Sequence, residues 1–214
     1  MSDRRGRLIV LSGIPATGKS ALAESLGEAL GTPVFSVDPV EAALLASGIE
    51  QSFATGLAAY NVCRTLADRE LLKRRGAIID AVNGVEPAKE MWRELATAHG
   101  VPLIVIECVC SNPAHHRRRL AHRSRGLGLP EPRWRDVVRR RAEWVPWREP
   151  VLVVDSMDPL ERGERRALAW IRRQERQAAA APRPRGHAAS RGSRPRGHAA
   201  SRGSRSRRGR RKTK

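Results

Sequence analysis

The stretch RLIVLSGIPATGKSALAESL, residues 7–26, joins an aliphatic run to a helical pattern through a loop that begins and ends on glycine. Arg7–Ser12 is apolar without interruption from Leu8 to Leu11, as a parallel strand covered on both faces requires. Lys19–Leu30 reads as a helix bounded by Gly31. Between them, Gly13-Ile14-Pro15-Ala16-Thr17-Gly18-Lys19-Ser20 fits the pattern G-x-x-x-x-G-K-[ST]. Such a loop aims several backbone N–H groups at one anion, and its glycines allow the turn and the close approach. The helix N-terminus adds partial positive charge. A lysine at the position of Lys19 reaches β- and γ-phosphates, and a hydroxyl at that of Ser20 completes Mg²⁺ coordination. The bare pattern arises by chance in roughly one chain per hundred of this length, and the flanking strand and helix make chance rarer still. The expected ligand is the triphosphate of ATP or GTP.

Working outward, four further short runs read as strands: Pro33–Val37, Ala77–Asp80, Pro102–Cys108 and Val151–Val154. Helical patterns alternate with them. Phe53–Arg75 carries Phe53, Leu57, Tyr60, Ala67 and Leu71 as its stripe and ends at Gly76, and Pro87–His99 places Met91, Leu95 and Ala98 on one face. This alternation implies βαβ units with right-handed crossovers. The expected fold is a three-layer α/β/α domain around a mostly parallel five-stranded sheet, over residues 1–181.

Charge separates that domain from the rest. The 214-residue chain carries a formal +19, but thirteen of its 41 Lys and Arg, and none of its 22 acids, lie from Pro182 onward. Residues 1–181 keep a net +6. In the tail, Pro184–Arg194 recurs as Pro195–Arg205, a tandem repeat built from Arg, Gly, Ser, Pro, Ala and His. That composition supplies no apolar side chains to repay ordering, so residues 182–214 are expected to be disordered. Thirteen positive charges could bind nucleic acid without sequence preference, or be a solvated extension with no role of its own. Three cysteines, Cys63, Cys108 and Cys110, form no CxxC pair and no disulfide framework. With neither an export signal nor a membrane span, the expected compartment is the cytoplasm.

The segments LSGIPATGKSALAESL (11–26), FSVDPVEAALL (35–45), GAIIDAVN (76–83) and CSNPAHHRRRLAHRSR (110–125) resemble the small P-loop kinases and ATPases. That group includes phage-type polynucleotide kinases, chloramphenicol phosphotransferase-like kinases, zeta toxins and bacterial "AAA family ATPase" proteins. The likeness covers about residues 7–172; many relatives carry Gly where this chain has Ala16. Asp38, before a helix opening at Pro39, is by local sequence a candidate N-cap. The resemblance implies that it faces the γ-phosphate and acts as base toward an acceptor hydroxyl. Asp80 closes an apolar strand as a Mg²⁺-binding carboxylate would, or simply as an acid at a turn; the resemblance places it, with Asn83 nearby, close to the phosphates. Arg117, Arg118, Arg119, Arg123 and Arg125 fall in an expected helix, with Arg119 and Arg123 four apart on one face. Such a run is either a solvated basic face or, as the resemblance implies, a lid whose Arg119 and Arg123 neutralise transition-state charge.

His115, His116 and His122 lack acidic or Cys partners at ligand spacing, which argues against a metal site. Trp134, Trp144 and Trp147 suit packing better than base stacking, and Asp155–Asp158 occupies the place where related kinases bring a loop under the adenine. The leading expectation is an ATP- and Mg²⁺-dependent kinase acting on a hydroxyl of a small molecule or nucleic-acid end. The alternatives are an ATP-switched, nucleic-acid-associated protein using its basic tail, and a toxin-like kinase acting on nucleotide sugars. No membrane partner is expected.

Overall fold

A computed structural model describes residues 6–124, 126, 128 and 131–180. The chain divides into Met1–Ala181 and Pro182–Lys214, and the described residues all belong to the first unit. The expectation of a disordered tail over 182–214 lies outside the described residues.

The elements follow in the order β1 (Leu8–Ser12), α1 (Lys19–Leu30), β2 (Val34–Ser36), α2 (Val37–Ala46), α3 (Phe53–Leu72) and β3 (Ala77–Asp80). Then come α4 (Glu86–His99), β4 (Leu103–Val109), α5 (Pro113–Ala121), α6 (Trp134–Ala142), β5 (Val151–Asp155) and α7 (Leu160–Ala180). The five strands form one parallel sheet in the order β2-β3-β1-β4-β5. Both faces are covered, so alternate residues of each strand enter different cores. Leu8, Val10, Ile79 and Val105 pack under α3 and α4. Ile9, Leu11, Ile78, Ile104 and Ile106 pack under α1 and α7. This is the three-layer α/β/α arrangement read from the alternation of runs. With β1 central and its successors placed on either side, the crevice beyond the carboxyl end of β1 is the place where this sheet type holds ligands. Residues 13–18 occupy it.

Several local expectations shift. The second strand was expected to reach Val37, but Ser36 takes an extended N-cap conformation and Val37 already starts α2. Pro39 fits the first turn, where backbone amides have no intrahelical acceptor. On α3 the expected stripe is half right: Ala67 and Leu71 are buried, whereas Phe53 is 88% exposed and Leu57 also faces outward. The buried line is Thr55, Ala59, Cys63, Ala67 and Leu71. Small residues let α3 approach the sheet closely, and a large residue in their place would hold it off. On α4 the inward side chains are Lys89, Trp92, Leu95 and Ala96; Met91 is half-buried and Ala98 exposed.

Asn83 ties these layers together. It is fully buried, adopts a left-handed φ of 51°, and donates through Nδ2 to the Leu11 carbonyl at 3.0 Å. Asparagine tolerates this conformation better than most residues. Its Oδ1 accepts the Trp92 indole N–H at 2.8 Å, and its own N–H reaches the Tyr60 hydroxyl at 3.2 Å. Trp92→Phe should therefore leave Oδ1 buried without a donor and lower stability by about 2–3 kcal/mol in urea denaturation. A loss under about 0.5 kcal/mol would show that the network relaxes around Asn83.

Candidate active site

The loop begins where the strand can no longer continue. Gly13 has a φ of 147°, and a Cβ there would stand 2.3 Å from the Cys108 carbonyl oxygen. Only glycine lets β1 leave the sheet against β4. Its N–H donates to the Val82 carbonyl at 3.1 Å, which moors the other flank. Ala16 and Gly18 both take left-handed conformations, with φ of 65° and 85°, and α1 starts at Lys19. The turn delivers the first amides of α1, which lack intrahelical acceptors, to the mouth of the crevice.

Lys19 is buried, and its Nζ donates to the Ile14 carbonyl at 3.4 Å. Burial draws its pKa down, while Asp80 and then Asp38 oppose that by favouring the ammonium. Thr17 Oγ1 donates to the same Ile14 carbonyl at 2.8 Å. Asp80, at the end of β3, is 6% exposed and accepts the Ser36 hydroxyl at 3.1 Å. Ser20 is exposed on the first turn of α1.

Asp38 lies in the first turn of α2, so Ser36, not Asp38, holds the N-cap position. The local reading of Asp38 as a cap is corrected. Its half-buried carboxylate stands 3.8 Å from Arg123 Nη2, and both line a cleft of about 260 Å³ together with Lys19. Arg123 was expected to share a helical face with Arg119. It does not: α5 ends at Ala121, with His122 as its C-cap, and Arg123 follows beyond. Arg119 remains on the last turn of α5, and its Nη2 lies 3.5 Å from where a Gly18 Cβ would be. It lines a second cleft, of about 130 Å³, with Thr17, Gly18, Asp155 and Ser156. The two arginines thus line different clefts beside the loop. Arg125 lies outside the described residues.

Comparison with known proteins agrees with this geometry. Residues 8–144 match the family described as AAA domain. The chain belongs to that family. A shikimate kinase of Limosilactobacillus fermentum (strain NBRC 3956 / LMG 18251) is 32% identical over 123 residues, covering 57% of this chain and 67% of the relative. Among solved structures, a gluconokinase from Sinorhizobium meliloti 1021 superposes with a TM-score of 0.61 at 19% identity, over 81% of this chain and 95% of that one. Mycobacterium tuberculosis APS kinase, in complex with AMPPNP and APS, superposes with a TM-score of 0.60 at 15% identity, over 78% and 98%. At those identities the structural likeness is one of fold. The AAA-domain chain is a P-loop phosphotransferase or ATPase. No helix among the described residues is long and apolar enough to cross a membrane.

Two residues of the AAA-domain site escaped the sequence reading. Lys89 is fully buried on α4; its Nζ donates to the Val145 carbonyl and lies 5.2 Å and 4.9 Å from the ring centres of Trp144 and Trp147. A lysine three residues before Trp92, on the apolar stripe, was the available signal. The tryptophans are therefore packing elements, and Trp147 Nε1 also donates to Ser12 Oγ at 3.1 Å. His116, set aside with the other histidines, is fully buried on α5, and its Nε2 lies 2.7 Å from the Pro15 carbonyl oxygen. Above the loop, Ile14, Leu120 and Val137 form a small core joined by Ala16, Trp134 and Trp144, so α5 and α6 rest on the loop's own side chains. Burial pushes Cys63 up to about 11 and Cys108 up to about 12, so both favour the thiol, and Cys110 is also buried and in no disulfide.

Two outcomes follow from these contacts. Burial, reinforced by Arg141, Arg119 and Lys19, holds the His116 imidazole below its ordinary pKa against the Pro15 hydrogen bond. The unfolded chain, titrating near about 6.5, then binds the extra proton more readily, so this contribution to stability is complete above that pH and shrinks below it. Unfolding free energy should fall more steeply between pH 7.5 and 5.5 in the parent chain than in His116→Gln; equal slopes would acquit the imidazole. At Ala16, the left-handed φ disfavours an L-residue by roughly 1–2 kcal/mol. Glycine's greater freedom in the unfolded chain takes back roughly 0.4–1 kcal/mol. Ala16→Gly should stabilise the protein by about 0.5 kcal/mol or more in urea melts. Destabilisation would mean that the methyl's packing against Ile14 outweighs the backbone strain.

Proposed function

We propose that this chain is an ATP- and Mg²⁺-dependent kinase that transfers the γ-phosphoryl group to a hydroxyl of a small polar molecule. One observation carries the reading. Asp38 and Arg123 face each other in a cleft that Lys19 also lines, so a carboxylate and the ammonium expected on the phosphates share one chamber.

In this reading the backbone amides of Ala16 to Ser20 and the Lys19 ammonium hold the phosphates. The nucleoside end takes the cleft between Gly18, Arg119 and Ser156, where the Ser156 hydroxyl is buried without a partner among the described residues. Ser20 and Asp80 would hold Mg²⁺; both offer oxygen, which this hard cation prefers, and the remaining positions would go to phosphate and water. Bound there, the ion would supply charge neutralisation at the β- and γ-oxygens. Asp38 accepts the proton of the acceptor hydroxyl as its oxygen bonds to the γ-phosphorus. The bond from that phosphorus to the β–γ bridging oxygen breaks, and ADP leaves. Arg119 and Arg123 meet the charge that spreads over the transferring group from its two sides.

The acceptor cleft is polar, lined by Glu41, Gln51 and Asp136 as well as by Arg139 and Arg140. Its volume suits a metabolite. The sequence relative is a shikimate kinase and one structural neighbour a gluconokinase, both named for small polyhydroxylated acids. An acceptor of that class suits a cleft that offers carboxylates to its hydroxyls and guanidiniums to its acid group. The nucleic-acid alternative rests on the tail, outside the described residues, and nothing in the cleft favours it.

Asp38→Asn should reduce phosphoryl transfer by about 10²–10⁴-fold, the usual worth of a general base, and leave ATP affinity within about threefold. The measurement is ADP release across a panel of hydroxy acids and sugars, with ATP binding followed separately. Unchanged turnover in the variant removes Asp38 from the mechanism.

A further inference from the structure

A loop that grips an anion through its amides must turn the matching carbonyls elsewhere, because the C=O and N–H of a trans peptide point in opposite directions. The Ile14–Pro15 peptide escapes this constraint. Proline has no N–H, so the Ile14 carbonyl can take Thr17 Oγ1 and Lys19 Nζ without losing a donor for the ligand. The next peptide has no such freedom. Its N–H belongs to Ala16, and its carbonyl, that of Pro15, is the one His116 holds at 2.7 Å.

A carbonyl can only accept, so Nε2 of His116 carries the proton. The other nitrogen, Nδ1, is buried without a partner among the described residues, and the ring stands edge-on to Trp134 with centroids 5.3 Å apart. A histidine kept only for packing would gain nothing from that orphaned nitrogen; its polar function here is spent on Pro15. The residue just after the pinned carbonyl is Ala16, the non-glycine member of the loop held at a left-handed φ of 65°. Strained conformations of this kind persist where their surroundings fix them.

We propose that His116 is a positioning residue for nucleotide binding: by holding the Pro15 carbonyl toward α5, it presents the Ala16 N–H to the phosphates. This rests on the nucleotide-binding reading of the loop. Pro15 borders the cleft that holds Asp38, but Ala16 and His116 do not line it, so the effect falls on nucleotide affinity.

The experiment is calorimetric titration of the full chain with AMPPNP and Mg²⁺, with thermal melts to confirm folding. Two donor-free variants, His116→Leu and His116→Met, should each bind about tenfold more weakly, as expected for one lost amide–phosphate contact. His116→Gln, whose side-chain amide can donate to the same carbonyl, should bind within about threefold of the parent. Parental affinity in either folded donor-free variant overturns the proposal, and so does a Gln variant no better than Leu. Failure of the parent chain itself to bind would instead overturn the phosphate-loop reading.

Discussion

The rest of the structure depends on how β1 leaves the sheet. Its last residues are clamped between β3 and β4, and at Gly13 the gap to the Cys108 carbonyl is too small for any side chain. The chain must turn sharply there, and the Gly13 N–H must find its acceptor on the β3 side, at Val82. Those two contacts fix where the loop starts, and the start of α1 fixes where it ends. Six residues then bridge the crevice. Their freedom is further reduced by Ile14, which is anchored under Leu120 and Val137, and by the bonds of Thr17 and Lys19 to its carbonyl. A loop so constrained does not have to reorganise when an anion arrives, which is where binding and catalysis otherwise lose free energy.

Electrostatics makes the same crevice selective for anions. Lys19 is buried, which alone would favour its neutral form; the Asp80 and Asp38 carboxylates act against that. The same carboxylates would repel a phosphate if nothing balanced them. Arg123 beside Asp38 and Arg119 beside Gly18 supply that balance from outside the loop, one in each cleft. The distribution separates a chamber with acids and bases in both walls from a chamber near Ser156 lined largely by carbon. The proposed kinase reading puts the acceptor in the first, where Asp38 lies beside Lys19 and Arg123.

Much of this was legible in the sequence because it follows from short-range rules. The glycine–lysine loop, the buried aliphatic strands and the αβ alternation each need only local pattern, and the three-layer fold comes directly from them. What failed needed knowledge of packing distance or of competition at helix ends. Phe53 and Leu57 look like a core stripe, yet the sheet needed Ala59, Cys63 and Ala67 so that α3 could lie close. Arg119 and Arg123 look like one helical face. Like charges four apart oppose a helix, and the chain leaves the helix before Arg123, which frees that side chain to reach Asp38. Lys89 and His116 were missed for a shared reason. Sequence patterns treat a charged or titratable side chain as surface, and here each is buried because one backbone carbonyl awaits it.

Those two buried donors also explain why the helices above the crevice belong to the site and are not merely its cover. Lys89 holds the Val145 carbonyl between Trp144 and Trp147, and Trp147 in turn donates to Ser12, the last residue of β1. Ser12 Oγ donates to the same Val82 carbonyl that moors Gly13. The exit of α6 is therefore tied to the first residue of the phosphate loop, while α5 is tied through His116 to its middle. A displacement of either helix is felt as a change in peptide orientation within the loop, and a change in the loop is felt by the helices that carry Arg119 and lead to Arg123. Coupling of this kind needs no moving part of its own; it follows from a loop carbonyl, that of Pro15, and a carbonyl flanking the loop, that of Val82, being held by side chains from outside it.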